Sequence, residues 1–316
     1  MRVLKSLLAP ALLAVLLGGC GGSTRVESYA PNRIVVFGDE LSLIGTNGSK
    51  YSVNALKADA VSLDCATYPV WPQVVADGYG MVFSECNPTA VASPAGVMKA
   101  SVGATVADVV AAVSAFQASS TFTPQTLVTV MAGQHDILNA YKAYDAGTLS
   151  RALALSQVSA AGKALGALVN NVANQGSGGR VLYSTPPNLG YSPFAAAELV
   201  RTSDADRVTL LKELTLAFTA ALRLEVINDG RYAALITADE LTISMSDPTK
   251  MVSYALTNIV DPVCTVALPN CTTATMAAGA AGVGTAYLWA DAQHPGVSFQ
   301  SRVGLAALNR ARNNPF

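Results

Sequence analysis

Asp291 and His294, three residues apart, are the pair in this chain best suited to proton transfer. An imidazole accepts a proton near neutral pH, and a carboxylate beside it fixes the ring tautomer and stabilises the charged form. A spacing of three residues lets one tight turn present both side chains. The pair therefore indicates general-base chemistry, with a surface turn in which the histidine caps a helix as the alternative interpretation.

Four polar segments that could carry chemistry each follow a predicted buried strand. In open α/β sheets, ligands bind at the carboxyl ends of the strands, so segments far apart in sequence meet at one edge. We therefore expect one site built from all four. The segments are residues 38–40, 133–136, 185–188 and 291–294, after predicted strands at 34–37, 127–131, 181–183 and 287–289.

Apolar strands alternate with helical patterns along most of the chain, which predicts a parallel sheet covered on both faces. The fold class is therefore α/β, a three-layer α/β/α sandwich with a central, mostly parallel sheet. A further strand is predicted at 232–237, and residues 246–284 read as a loop-rich stretch near the site. The predicted helices are residues 71–77, 105–116, 149–173, 198–227 and 297–312.

The same segments resemble, in order, the conserved blocks of the GDSL esterases and lipases, also called SGNH hydrolases. Residues 38–42 read Gly-Asp-Glu-Leu-Ser against the family's Gly-Asp-Ser-Leu-Ser, and residues 291–295 match its Asp-x-x-His-Pro block. Residues 101–105 resemble the second block, and residues 185–190 resemble a segment that lines the cleft. The resemblance implies an SGNH-type (flavodoxin-like) fold and hydrolysis of carboxylic esters. By the same resemblance, His294 would be the general base, Asp291 would orient it, and the Gly103 N–H would donate to the oxyanion.

Two positions depart from the family pattern. Glu40 stands where the family has its serine nucleophile, and His135 stands where an asparagine donates to the oxyanion. A histidine with its outer nitrogen protonated can also donate one hydrogen bond, so His135 could keep that role. Alternatively, His135 is a partly buried histidine bonded to nearby backbone. Ser42 is a further serine, but in a turn entering a helix it points away from the nucleophile position, which makes it a weak substitute.

Glu40 changes what the site can do. Carboxylate attack on an ester would give a mixed anhydride, uphill from the ester, so an ordinary acyl-enzyme is excluded. One interpretation is an ester hydrolase in which Glu40 or His294 activates water. A second is a non-catalytic surface protein that binds an acyl or glycan ligand, with a Glu40–His294 ion pair closing the cleft. A third is glycoside hydrolysis by Glu40 and Asp291, which would leave His294 without a part.

The first residues resemble an export signal. The apolar run Leu7–Leu17 follows two basic residues and is too short to span a bilayer. It ends in Gly-Gly-Cys20, which resembles a bacterial lipobox, so residues 1–19 are expected to be cleaved and Cys20 lipidated. Residues 20–31 would be a tether and 32–316 a single domain. By this resemblance the protein is exported and held at the outer membrane of a Gram-negative cell.

The composition argues against nucleic acid as a partner and against a bound metal or cofactor. Removal of the signal takes two of the 20 basic residues and none of the 21 acidic ones, leaving a net charge of −3, and no basic stripe marks a nucleic-acid site. With two histidines and no Cys-x-x-Cys spacing, neither a metal nor a cofactor is expected, and we expect a monomer. Apart from Cys20, four cysteines can pair in three ways, of which sequence proximity favours Cys65–Cys86 with Cys264–Cys271.

Overall fold

The structure is a computed structural model that describes residues 29–174, 179–227, 230–280, 282–313 and 316. The expected signal segment, Cys20 and most of the tether lie outside these residues. Nine strands are described: β1 Arg33–Gly38, β2 Ala55–Leu56, β3 Leu63–Asp64, β4 Gly96–Met98, β5 Thr126–Met131, β6 Arg180–Ser184, β7 Ala233–Ile236, β8 Asn258–Pro262 and β9 Tyr287–Trp289.

Eight α-helices accompany the strands: α1 Trp71–Asp77, α2 Val106–Ser119, α3 Gln134–Asp145, α4 Arg151–Asn174, α5 Pro193–Thr202, α6 Ala205–Glu225, α7 Ala238–Met245 and α8 Val297–Arg312. Four short 3-10 helices lie at Glu40–Ser42, Leu189–Tyr191, Pro248–Lys250 and Gly284–Ala286. By length and composition alone α4 could cross a membrane, but it packs along α6 within the fold.

The central sheet has five strands in the order β4-β1-β5-β6-β7, and every pairing in it is parallel. Alternate residues of its inner strands enter two separate cores. In β1, Val35 and Phe37 belong to the core formed with α2, α3, α4 and α6. Ile34 and Val36 belong to the core formed with α1, α7 and α8. Helices thus cover both faces, which confirms the predicted three-layer α/β arrangement.

The structure differs from the prediction for residues 198–227, where one long helix was expected. The chain leaves α5 at Ser203, which has a left-handed φ of 54°. Asp204 then caps α6 by accepting a hydrogen bond from the Asp206 N–H. Helical periodicity continues across this break, so the apolar pattern conceals it. The prediction also missed α3, which begins directly after the Gly133 turn.

The strand before Asp291 is not part of the central sheet. β9 pairs in parallel with β8 in a separate two-stranded sheet. Asp291 therefore reaches the site from a loop subdomain rather than from the edge of the main sheet. Both favoured disulfides are confirmed, and the second fastens this region: Cys65 pairs with Cys86, and Cys264 pairs with Cys271.

Candidate active site

Glu40 lies where β1 ends at the carboxyl edge of the sheet. It begins the 3-10 helix Glu40–Ser42, which Asp39 caps by accepting a hydrogen bond from the Leu41 N–H at 3.0 Å. A Cβ on Gly38 would lie 2.2 Å from the carbonyl oxygen of Met131, so the close approach of β1 to β5 here requires glycine. The result places Glu40 inside the protein, with only 2% of its surface exposed.

Three hydrogen-bond donors converge on the Glu40 carboxylate. Its Oε1 lies 2.7 Å from Nε2 of His135 and 2.9 Å from Nε2 of His294. Its Oε2 accepts the backbone N–H of Gly103 at 2.8 Å. Both histidines of the chain thus contact the same oxygen, and the second oxygen uses the N–H that the family resemblance assigns to the oxyanion.

The length of the Glu40 side chain gives these contacts a chemical meaning. In an acylated serine the carbonyl carbon is the third atom from Cα, after Cβ and Oγ. In glutamate the carboxyl carbon is also third, after Cβ and Cγ. Glu40 therefore carries a planar carboxyl group as far from Cα as the acyl carbon of an acylated serine would be, with Oε2 on the Gly103 N–H.

Asp291 fixes both the ring of His294 and the turn that carries it. The Nδ1 of His294 lies 2.8 and 2.9 Å from the two carboxylate oxygens of Asp291. One of those oxygens also accepts the backbone N–H groups of Gln293 and His294, at 2.8 and 2.7 Å. The ring therefore has its Nδ1 held by Asp291 and its Nε2 directed at Glu40.

His135 and Gly103 are placed by the starts of two helices. His135 lies in the first turn of α3, after Gly133 at φ +116°, where a Cβ would lie 2.3 Å from the Phe218 ring. Gly103 has φ +74° in the loop before α2. Asp136 connects the two regions, because its carboxylate accepts the Val106 N–H at 2.9 Å. The connection fixes the Gly103 N–H relative to His135.

The electrostatics of the site favour a negative Glu40. Burial alone would raise the pKa of Glu40, but the hydrogen bonds from His135, His294 and Gly103 outweigh burial and hold that pKa well below its usual range. The hydrogen bond to Glu40 in turn raises the pKa of His135, against a smaller opposing effect of burial.

His294 is shifted in the same direction. Burial would lower its pKa, but the hydrogen bonds to Asp291 and Glu40 raise it to about 9. For Asp291, burial opposes the hydrogen bond and charge of His294, and the balance lowers its pKa. Charges therefore alternate from Asp291 to His294 and Glu40, and Glu40 favours the protonated form of His135 as well. At neutral pH the His294 imidazole holds its proton and is not a free base.

Asp39 carries a second buried carboxyl beside Glu40. Complete burial, followed by the neighbouring charge of Glu40, raises the pKa of Asp39 to about 7. Its role is structural, since it caps the helix that presents Glu40.

Ser42 and Thr185, two residues of the predicted site segments, do not take part in the contacts around Glu40. Ser42 is fully buried, and its Oγ accepts a hydrogen bond from the Trp71 indole at 3.0 Å, so it faces the core. Thr185, in the segment expected to line the cleft, donates to the Asp239 carboxylate of α7 at 2.6 Å. Neither is directed at the two histidines.

Sequence reasoning missed Tyr51, whose ring centroid lies 5.9 Å from that of His294. It follows Lys50 in a polar, irregular stretch that gives no periodic signal. Within the described residues, no group of three or more His, Cys, Asp or Glu side chains could hold a metal ion.

No protein-family model and no curated protein matches the chain. Solved structures with a similar fold include the extracellular lipase of Streptomyces rimosus, at 14% identity and TM-score 0.47, covering 89% of this chain and 99% of that one. An acetylxylan esterase from Geobacillus stearothermophilus has 13% identity and TM-score 0.45, covering 92% and 98%. A phospholipase A1 from Streptomyces albidoflavus has 14% identity and TM-score 0.45, covering 90% and 100%.

The Glu40→Ala variant is expected to bind free carboxylates. Removing the side chain leaves the Gly103 N–H and the Nε2 atoms of His135 and His294 around an empty space that matches acetate, and a bound acetate restores the negative charge that favours the protonated rings. Acetate at about 0.1 M should therefore raise the Tm of Glu40→Ala by a few degrees, roughly 1–2 kcal/mol of stabilisation for a Kd of about 10 mM, and leave wild type unchanged. Differential scanning fluorimetry measures the shift.

Acetamide and sodium chloride are the controls for this shift, since acetamide has the shape of acetate without its charge. An equal rise in wild type, or an equal rise with acetamide, would contradict a built carboxylate site.

The contribution of His294 to stability should fall as the pH rises from 6.5 to 9. The folded chain raises the pKa of His294 from 6.5 to about 9, so its contribution is complete below pH 6.5 and is lost as the pH passes about 9. Asp39, whose pKa is raised from 3.8 to about 7, loses its contribution between those two pH values and therefore affects only the start of this range. The His294 part amounts to at most about 3 kcal/mol. Urea unfolding at pH 6 and 9.5 should show a steeper loss for wild type than for His294→Gln. Equal losses would contradict the ion pair.

Proposed function

We propose that this chain is a non-hydrolysing relative of the SGNH esterases, with its acyl site closed by Glu40. The observation that supports this proposal most directly is that the Glu40 carboxylate is hydrogen-bonded to both imidazoles and to the Gly103 N–H. In these contacts a carboxylate stands at the nucleophile position, His294 is protonated at neutral pH, and the Gly103 N–H is already bonded to Glu40. The family resemblance of its sequence blocks supports the origin of the site, and the all-parallel, helix-covered sheet is consistent with it.

The two catalytic alternatives suit these contacts less well. A carboxylate whose pKa is held far below its usual range is a weak base, so Glu40 is poorly suited to activating water. Glycoside hydrolysis needs two carboxyl groups on either side of an open space for the sugar. Here the ring of His294 lies between Glu40 and Asp291 and contacts both. A binding or structural role at the cell surface is the function that remains.

We also propose that this protein is exported from the cytoplasm. The apolar run at 7–17 and the lipobox-like Cys20 support export and a lipid anchor at the outer membrane, with the folded part acting as a monomer. Labelling cells with radioactive palmitate, with Cys20→Ser as the control, tests the anchor.

Replacing Glu40 with serine should open the site. The shorter side chain frees the Gly103 N–H, supplies a hydroxyl and removes the charge that keeps His294 protonated. Purified full-length Glu40→Ser should hydrolyse p-nitrophenyl acetate on the order of 100-fold faster than wild type, because a nucleophile and an Asp-His pair are then together. Initial rates at pH 8 measure the gain.

Glu40→Ala is the matched control, since it opens the same space without a nucleophile, and Glu40→Ser with His294→Gln should lose the gain. Saturable turnover by wild type that disappears in His294→Gln would overturn the proposal.

A further inference from the structure

A recess in the protein, which we call the α8 groove, lies along helix α8. It has a volume of about 510 Å³, within the range of small-molecule sites. Tyr68 and Tyr254 contribute to its walls, and a smaller recess of about 230 Å³ adjoins it, sharing Tyr68 and Thr285. One face of α8 lines it, with positions i, i+3, i+4 and i+7 occupied by Ser298, Ser301, Arg302 and Leu305.

The backbone around the groove is strained at two places. Among the described residues, five that are not glycine have a left-handed φ, and two of these line the groove: Tyr68 at 57° and Ala255 at 52°. A side chain makes this conformation cost roughly 1 kcal/mol or more, so it persists only where the surroundings enforce it. Such residues concentrate at ligand sites, where the strain fixes the shape of the wall.

Lys50 provides that enforcement for Tyr68. Its side chain is completely buried, and its ammonium donates to the carbonyl oxygens of Cys65, Thr67 and Tyr68 at 3.1, 2.6 and 2.9 Å. All three ammonium hydrogens are thus used on one short loop, and the disulfide to Cys86 ties the same loop from the other side. Because the buried Lys50 ammonium holds the 65–68 loop, Tyr68 stays in place at the groove.

Arg302 holds the part of the lining that Tyr254 forms. Its Nη2 donates to the carbonyl oxygen of Tyr254 at 2.7 Å, and its guanidinium lies 4.7 Å from the centre of the Tyr254 ring. The hydroxyl of Tyr254 is 2.8 Å from the Oγ of Ser244, which fixes the ring. The Nε of Arg302 is buried, so a bound molecule would meet the Nη groups of the guanidinium, of which Nη2 already donates to the Tyr254 carbonyl oxygen.

The lining has a consistent chemistry. It offers two tyrosine rings, three hydroxyl groups and one cation, with no acidic side chain among its lining residues. Flat aromatic faces suit the apolar face of a sugar ring, and hydroxyl groups exchange hydrogen bonds with sugar hydroxyls. An unopposed guanidinium selects a carboxylate.

We propose that the α8 groove binds an acidic oligosaccharide, with a uronate carboxylate at Arg302 and a sugar ring against Tyr68. The site is separate from Glu40 and does not depend on the closed acyl site. Glycan binding at this groove would be a function for an exported protein that does not hydrolyse esters.

The test is titration calorimetry of the purified full chain with tetragalacturonate, with maltotetraose as the uncharged probe of equal length. Tetragalacturonate should bind with a measurable Kd, and maltotetraose at least ten times more weakly. Arg302→Gln should weaken binding of tetragalacturonate about tenfold or more, while Arg310→Gln, on the same helix outside the groove lining, should leave it unchanged. Glu40→Ser should bind like wild type, which separates this proposal from that for the acyl site.

Ser301→Phe is the second variant, because Ser301 is a half-buried lining residue outside the hydrophobic core and the added ring would fill the groove. It should abolish binding with an unchanged circular dichroism spectrum and Tm. No binding of either probe to wild type, equal binding of both, or full binding by Ser301→Phe would overturn the assignment.

Discussion

The buried charge on Glu40 is the constraint on which the rest of the site depends. A carboxylate with 2% of its surface exposed must receive hydrogen bonds or positive charge from the protein, because water cannot supply them. His135, His294 and Gly103 do so, and they come from α3, the 291–294 turn and the loop before α2. The conformations of these three segments are therefore coupled through one side chain.

Under the proposed function, that coupling is the reason why this site would not hydrolyse esters. In an acyl transfer site, the base must be neutral and the oxyanion donor free until substrate arrives. Here the Glu40 carboxylate keeps His294 protonated and is already hydrogen-bonded to the Gly103 N–H. Removing one partner of such a buried network leaves the others uncompensated, so changes at Glu40 affect both histidines.

The sequence predicted much of the fold because its strands are short, apolar and followed by polar turns. α1 and α8 begin and end where expected, and β5 is buried along its whole length as the apolar run indicated. The break at Ser203 escaped prediction because a single left-handed residue leaves the helical period intact. The placement of β9 outside the central sheet also escaped, since pairing partners cannot be read from one strand.

At the site, the sequence identified Glu40, His135, Gly103, Asp291 and His294 as residues that would meet. It left open how they would meet, since whether Glu40 faces solvent or both imidazoles depends on side-chain reach and on the first turn of α3. Lys50 and Tyr51 gave no signal at all. Their importance comes from contacts with backbone carbonyls and a ring that are distant in sequence.

The most direct measurement is the ¹⁵N NMR titration of the two histidine rings in the full chain, with Glu40→Gln for comparison. A Glu40 carboxylate shared by both rings predicts that wild-type His294 stays an imidazolium up to a pKa of about 9 and that His135 also titrates above its ordinary value. Both pKa values should fall in Glu40→Gln. Two rings that titrate near 6.5 in wild type, unaffected by Glu40→Gln, would contradict the closed site.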